Sequence, residues 1–399
     1  MRIGMMADAY KPKVSGVTST ISLSKCALEA AGHKVFIFTF GGEDFEDDEL
    51  NVVRTPGLPL SDTGFYFSFR FSRHARRKLQ TMDIVHVHHP FLSGRLAIRY
   101  CKPYNIPIVF TNHTRYDLLT QAYFPLLPDE VGNTLLQAYL PSFCREVDLL
   151  IAPSLGLCEI LRGFGVECPI EVIPNGVDLG PFRNPAHLVS RESLGFGPDE
   201  VLMIYVGRLG PEKNLAFLIR AFAGVHTAYP EARLLLVGDG PENDNLRDQV
   251  TRSGLEGLVK LTGMIGYDKL PSYYALGEIF VTASVSEVHP LTVIEALASG
   301  LPVMGIRSPG VGDIVTDGYN GVLSEHDLAA FTAKLSRLVA DGETRRRLAQ
   351  QARESSEQYA IERTTAVLEQ QYARLVAEKP RSRQRNWRLT WQRLVDRVT

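Results

Sequence analysis

The stretch "VLMIYVGRLGPEKN", residues 201–214, decides the fold. Residues 201–206 are all apolar, and the run then breaks into a loop carrying Gly207, Gly210 and Pro211. A strand with one face in water alternates apolar and polar residues. A strand covered on both faces reads as a continuous apolar run. The chain opens the same way, with "RIGMMA" (2–7) breaking into "DAYKPKVSG". Outward from these two points the pattern repeats. "KVFIFTF" (34–40), "DIVHVH" (83–88), "IPIVFT" (106–111), "VDLLIAP" (147–153) and "IEVIPN" (170–175) precede a Gly-, Pro- and polar-rich stretch. "RLLLVG" (233–238), "LVKLTG" (258–263), "EIFVTAS" (278–284) and "PVMGI" (302–306) follow the restart. Apolar strands alternating with helical patterns predict parallel sheets with helices on both faces. The expected fold is α/β, with two doubly wound Rossmann-like domains facing a cleft. The expected domains are 1–178, a linker at 179–200, and 201–359. The helical stretch from about Leu328 to Val376 covers the second domain on this reading. Its part from about residue 360 is a candidate to cross back to the first. Ligands of such sheets bind at the carboxyl ends of the strands.

Composition narrows the class. The chain has 399 residues, is 45% hydrophobic and 22% charged, and carries a net charge of −2. That is an ordinary globular composition with no global field for nucleic acid. Cys26, Cys101, Cys144, Cys158 and Cys168 are scattered without a CxxC pair, which fits reduced thiols in a cytosol. No apolar run reaches the ~18–20 residues of a membrane span, and the N-terminus opens directly into a strand pattern rather than a leader. Nothing in the sequence speaks to oligomeric state.

Several loops carry residues suited to an anionic ligand. Gly16, with Ser15 before it, stands at a predicted helix start, where N–H groups and the helix dipole favour an anion. An ordinary strand-to-helix turn reads equally well, and no GxGxxG occurs. Arg208 and Lys213 leave a strand end together and could hold a diphosphate. A solvated basic loop is the plain alternative. "VGRLG", "VGDGP" (237–241) and "TGMIG" (262–266) place glycines, Gly207 and Gly238 among them, after three successive strands. That suggests backbone contact with a nucleotide. "SEVHPLTVIEALASG" (286–300) puts Glu287 before a helix start and Glu295 inside the helix. With Pro290 at the first helical position, both carboxylates could face one pocket. His86, His88, His89 and His113 sit at strand ends. A metal reading of "HVHH" lacks a carboxylate or cysteine partner at useful spacing, and no DxD pair occurs in the chain. No metal is therefore expected. The acidic run 43–50 reads as a solvated loop.

Taken in order, "SGV", "IPNGVD" (173–178), "VGRL…EK", "VGDGP" and the E-x7-E spacing from Glu287 to Glu295 resemble retaining glycosyltransferases of family 4, with the GT-B fold. The resemblance runs from Met1 to about Val376. It is nearest to members that glycosylate diacylglycerol or phosphatidylinositol. It implies transfer of a hexose from a UDP- or GDP-sugar, used as substrate, with no cofactor and no metal. It implies that Glu287 binds the donor sugar and Glu295 the ribose. Backbone near Leu291 and Thr292 would meet the sugar and diphosphate, Arg208 and Lys213 would neutralise the leaving group, and Gly16 would let the first loop close. His113 matches the histidine that contacts the donor sugar, and the base would lie near Met264 and Ile265. His289 and Pro290 depart from the family's usual loop. Tyr10, Arg115 and Tyr116 are expected on the acceptor side.

A lipid acceptor is suggested by "GFYFSFRFSRHARRKL" (64–79), where Phe69 and other aromatics accompany Arg73, Arg76, Arg77 and Lys78 with no acid. A basic surface helix after a core strand is the alternative. The segment 113–131 adds a second apolar, proline-bearing stretch. The tail 379–399 has seven basic residues and one acid, with Trp387 and Trp391 on one helical face. It reads as an interfacial amphipathic helix or as a docking helix. The expected location is cytoplasmic, peripheral on the inner face of the cell membrane, with an anionic membrane surface as partner. A soluble acceptor such as a sugar phosphate or inositol phosphate, a nucleotide-sugar epimerase and a regulatory nucleotide-binding protein remain as rival readings.

Overall fold

The computed structural model describes residues 1–379 other than 14, 43, 44, 46, 48, 61–64, 117 and 119–128. The tryptophan-bearing tail and most of the 113–131 stretch therefore lie outside the described residues. The chain divides into two compact units. The first takes in Met1–Pro153, Cys158–Ile173 and the chain from Thr365; the second takes in Ser154–Leu157 and Pro174–Thr364.

In the first unit the strands are β1 (Arg2–Met6), β2 (Lys34–Gly41), β3 (Val52–Pro56), β4 (Leu58–Pro59), β5 (Tyr66–Phe67), β6 (Ile84–Val87), β7 (Ile108–Thr111), β8 (Leu149–Ala152) and β9 (Ile170–Val172). Seven form one parallel sheet, in the order β3-β2-β1-β6-β7-β8-β9, while β4 and β5 form a separate antiparallel pair. The sheet order reverses between β1 and β6. The helix Gly16–Ala30 starts where the sequence placed it, with Ser15 accepting from the Thr18 N–H. The helix Ile361–Glu378 belongs mainly to this unit. Its Leu368, Tyr372 and Leu375 are buried with Ile3, Met5, Ile37 and Ile84.

The second unit contains β10 (Val201–Val206), β11 (Ala232–Val237), β12 (Val259–Leu261), β13 (Ile279–Thr282), β14 (Val303–Ile306) and β15 (Gly321–Ser324). They form one parallel sheet in the order β12-β11-β10-β13-β14-β15. The apolar run of β10 is continuous because both faces are covered. Val201, Met203 and Tyr205 enter one core, and Leu202, Ile204 and Val206 enter the other. A side-chain period of two thus feeds two layers from one uninterrupted run.

Two expectations change here. Residues 179–200, expected as a linker, contribute to the second unit's core. Asp178 caps the short helix Leu179–Arg183, and Leu179, Phe182 and Phe196 are buried. The run 43–50 is not simply solvated where it is described. Asp47 takes the guanidinium of Arg54, and Glu49 takes the hydroxyl of Tyr10 at 2.9 Å and the ammonium of Lys11. Sequence alone shows the charges of such a loop but not the cations the fold brings to them.

Candidate active site

In the second unit the sheet order reverses between β10 and β13, and the loops leaving these two strands carry opposite charges. After β10 the chain turns through Gly207 (φ +152°) and a short turn at Pro211–Lys213, then enters the helix Leu215–Ala228 through Asn214. After β13 it passes Ser284 and Ser286 to Glu287. Ser284 donates to the Glu212 carbonyl at 3.1 Å, and Asn214 donates to the Ala283 carbonyl at 3.3 Å, so the loops are tied together. Between them the Lys213 ammonium donates to Glu287 Oε1 at 2.5 Å. Burial alone would lower the Lys213 pKa, but the Glu287 carboxylate more than offsets this and holds it raised. Arg208 is more open, with an exposed side chain paired to Glu212 at 3.3 Å. The structure therefore brings Lys213 and Glu287 together and leaves Arg208 at the surface.

Glu295 lies in the helix Leu291–Ala298 and is 1% exposed. The Tyr274 hydroxyl donates to its Oε2 at 2.8 Å. Burial pushes its carboxyl up to about 7, against the opposing hydrogen bonds from Tyr274 and Tyr267. Pro290 is the N-cap rather than the first helical residue expected, with φ −70° and ψ 121°. Extended backbone is the region open to proline outside a helix. No side chain caps this helix start, so the first-turn N–H groups of Leu291 and Thr292 lack a side-chain acceptor. His289 is 5% exposed, its Nδ1 has no partner among the described residues, and burial pushes its pKa down to about 3. Its carbonyl accepts from Asn175 at 2.9 Å, which gives "IPNGVD" a local structural use.

The glycines answer to close backbone approach. A Cβ on Gly238 (φ +136°) would lie 2.0 Å from the Gly207 carbonyl oxygen, and one on Gly240 would lie 2.4 Å from that of Leu209. Gly238 also donates its N–H to the Gly263 carbonyl at 3.2 Å. The three loops are thus in backbone contact. Met264 is exposed and Ile265 packs partly against the core.

Sequence reasoning missed Tyr274, Tyr267, Asn175 and Gly310. The last is sharply constrained, because a Cβ there would stand 2.3 Å from the Glu287 carbonyl oxygen. Gly310→Ala should displace the Glu287 loop. We expect turnover to fall by about tenfold or more and stability by about 1–3 kcal/mol, the usual cost of overpacking. Steady-state rates and denaturant titration check it, and unchanged rates would rule out this constraint.

The first unit gathers the histidines. His86 Nδ1 lies 2.5 Å from the Tyr372 hydroxyl and its Nε2 lies 2.6 Å from Thr111 Oγ1. His88 Nδ1 lies 2.9 Å from His113 Nε2. Burial lowers the pKa of all four, His86, His88, His89 and His113. Among the described residues no group of three or more His, Cys, Asp or Glu side chains could hold a metal ion. Asp8, also missed, accepts from the N–H groups of Ser93 (2.7 Å) and Leu92 (3.3 Å) and so caps the helix Leu92–Cys101 from another segment.

The acceptor residues divide. Tyr10, expected to face an acceptor, is 2% exposed with its hydroxyl committed to Glu49, and its pKa is raised by burial and then by that carboxylate. Tyr116 is buried against the edge of Phe91, and Arg115 is half-buried. Of the membrane residues, Phe69 is 74% exposed. The helix Arg73–Leu79 buries Ala75 and Leu79. Arg73, Arg76, Arg77 and Lys78 lie along it, with Lys78 4.5 Å from the Phe36 ring and Arg76 5.8 Å from that of Tyr100. Trp387 and Trp391 lie outside the described residues. Among those residues no helix is long and apolar enough to cross a membrane.

Two Rossmann-type units, one with a Lys–Glu pair and glycine loops at its strand ends, define the GT-B class of nucleotide-sugar-dependent transferases. The model of "Glycosyltransferase Family 4" matches residues 14–180 and that of "Glycosyl transferases group 1" matches 189–355. The α-monoglucosyldiacylglycerol synthase of Streptococcus pneumoniae is 32% identical over 357 residues, covering 85% of this chain and 79% of that protein. The enzyme of the same name from Acholeplasma laidlawii is 30% identical over 337 residues, covering 81% and 84%. A sucrose-phosphate synthase structure from Thermosynechococcus elongatus superposes with a TM-score of 0.76 at 22% identity, covering 94% and 99%. The chain belongs to glycosyltransferase family 4. It is an enzyme that takes a nucleotide-sugar as substrate.

Proposed function

We propose that the protein transfers a hexose from UDP- or GDP-hexose to a membrane lipid of the diacylglycerol class, with retention of configuration and without a metal ion. The observation that carries the acceptor is the likeness to two α-monoglucosyldiacylglycerol synthases over four-fifths of the chain. The exposed Phe69 beside a helix of four basic residues supports it, since cations and bulky apolar groups suit an anionic bilayer surface. Attachment is peripheral, at the inner face of the cell membrane.

In this reading Lys213 and Arg208 meet the diphosphate, and the first-turn N–H groups of Leu291 and Thr292 add a helix-terminus anion site. Glu287 binds the sugar hydroxyls, His113 acts on the donor sugar, Glu295 holds the ribose and Met264–Ile265 border the base. Gly16 lets the first loop approach the donor. Catalysis is then mostly positioning and stabilisation of the leaving group.

The test is transfer of labelled sugar from UDP- and GDP-hexoses into vesicles containing diacylglycerol, with and without EDTA. A labelled glycolipid formed equally in EDTA is expected. Label appearing only in sugar phosphates or inositol phosphates would replace the acceptor, and strict dependence on magnesium or manganese would overturn metal independence. Removing residues 380–399, beyond the Lys379–Asp148 ion pair, should weaken sedimentation with anionic vesicles at low salt. Nucleotide binding should not change.

A further inference from the structure

His88 is not needed for any role described so far, yet it is 2% exposed and held on two sides. It follows β6, and His113 follows β7, the neighbouring strand. The register Val87↔Phe110 brings the two loops out side by side. His88 Nδ1 and His113 Nε2 are 2.9 Å apart, with ring planes 17° from parallel and centroids 5.2 Å apart. So short an N···N distance between centroids so far apart means the rings meet edge to edge and share one in-plane hydrogen bond. His86 lies against His88 with centroids 4.3 Å apart. His86 is itself fixed at both nitrogens, by Tyr372 and Thr111.

We propose that His88 is a positioning residue that fixes the tautomer of His113, so that His113 presents Nδ1–H as a donor to the sugar substrate. The inference rests on the reading of His113 as a donor-sugar contact. Two proton placements satisfy the bond. If His113 Nε2 carried the proton, His88 would accept at Nδ1 and carry its own proton on Nε2. That Nε2 is buried and has no partner among the described residues. Buried N–H groups without acceptors are rarer and costlier than under-used lone pairs. His88 therefore carries its proton on Nδ1, donates it to His113 Nε2, and leaves its own Nε2 bare. His113 then has its proton on Nδ1, the opposite of the form free histidine favours. Burial keeps both rings neutral. Nε2 of His113, already an acceptor, is not available to take a proton from an acceptor hydroxyl. A histidine in this state orients and polarises by donation.

Imidazole 15N spectra of the full-length protein with labelled histidine read the tautomer directly, with His113 assigned by comparison with His113→Ala. The expected wild-type signal is protonated Nδ1 and bare Nε2. In His88→Leu the Nε2–H form should appear and turnover fall on the order of tenfold, with the KM for nucleotide-sugar nearly unchanged. His88→Asn, whose amide retains a donor on the side facing His113, should recover much of the loss. In a His113→Ala background, His88→Leu should cost nothing further, because its effect passes through His113. A wild-type His113 protonated on Nε2, or fully additive losses in the double variant, would overturn the proposal. Full transfer activity in His113→Ala would instead remove the sugar role of His113 and leave the tautomer assignment standing.

Discussion

Glu287→Gln should lower turnover by on the order of a hundredfold or more, while binding of the nucleotide diphosphate holds or strengthens. The two halves follow from one contact. In the free protein Glu287 neutralises Lys213 across 2.5 Å, and each side chain is about one-fifth exposed. Glutamine keeps the shape but removes the charge. The ammonium of Lys213 is then left for the diphosphate alone, so the nucleotide loses nothing that Glu287 supplied. The sugar, on the proposed role of Glu287, loses a charge-assisted acceptor, which is about twice as strong as a neutral one. Lys213→Ala separates the two roles. It should weaken diphosphate binding as well as turnover, because the cation proposed to meet the leaving group is gone and Glu287 stands without a counter-charge. Calorimetric titration with UDP and GDP, beside transfer rates, distinguishes the cases. A Glu287→Gln protein that transfers sugar normally, or that no longer binds nucleotide, would show that Glu287 has been given the wrong job.

Some of this arrangement was visible in the chain and some was not, for a physical reason. β10 and β11 were legible because burial on both faces leaves a continuous apolar run. The Gly207 and Gly238 turns were legible because glycine alone readily takes those backbone angles at so close an approach. The seven-residue gap between Glu287 and Glu295 marked a loop and a helix correctly. Their surroundings were hidden. Tyr274 is 21 residues from Glu295 in sequence and reads as an ordinary core tyrosine until the fold brings its hydroxyl to the carboxylate. From sequence Tyr10 is expected on the acceptor side, although Glu49, 39 residues away, claims its hydroxyl. The Lys213–Glu287 pair spans 74 residues and depends on β10 and β13 being neighbours, which the sequence order does not state. Local spacing reveals which side chains leave a strand end. Sheet order decides which of them meet.

The first unit should lose stability on acidification between about pH 6.5 and 4.5, while the second changes little over the same range. In the first unit His86, His88 and His89 are almost fully buried and His113 is partly so; burial lowers the pKa of all four, to about 3 for His86. Unfolded histidine takes up its proton near 6.5. Below that pH the unfolded chain binds protons that the folded unit refuses, so stability is present above 6.5 and is eroded as the pH falls. Each such proton costs about 1.4 kcal/mol per pH unit, and four together set a ceiling of about 5.5 kcal/mol per unit. Against a typical domain stability of about 5–15 kcal/mol, even part of that ceiling over two pH units is a large fraction of the total. In the second unit His289 behaves the same way, with a folded pKa of about 3. Glu295 has the opposite sign. Its folded pKa of about 7 lies above the unfolded value, so the folded unit binds this proton first and gains stability as the pH falls from 7 toward 4.5. One proton refused and one proton welcomed nearly cancel. Peptide-resolved hydrogen exchange at pH 7.5, 6 and 5 reads the two units separately. Protection should collapse first in β1, β6 and β7 and persist in β10, β11 and β13. Glu295→Gln removes the compensating proton and should make the second unit acid-sensitive as well. Uniform loss of protection in both units, or none down to pH 4.5, would mean that the buried histidines of the first unit are not what sets its acid limit.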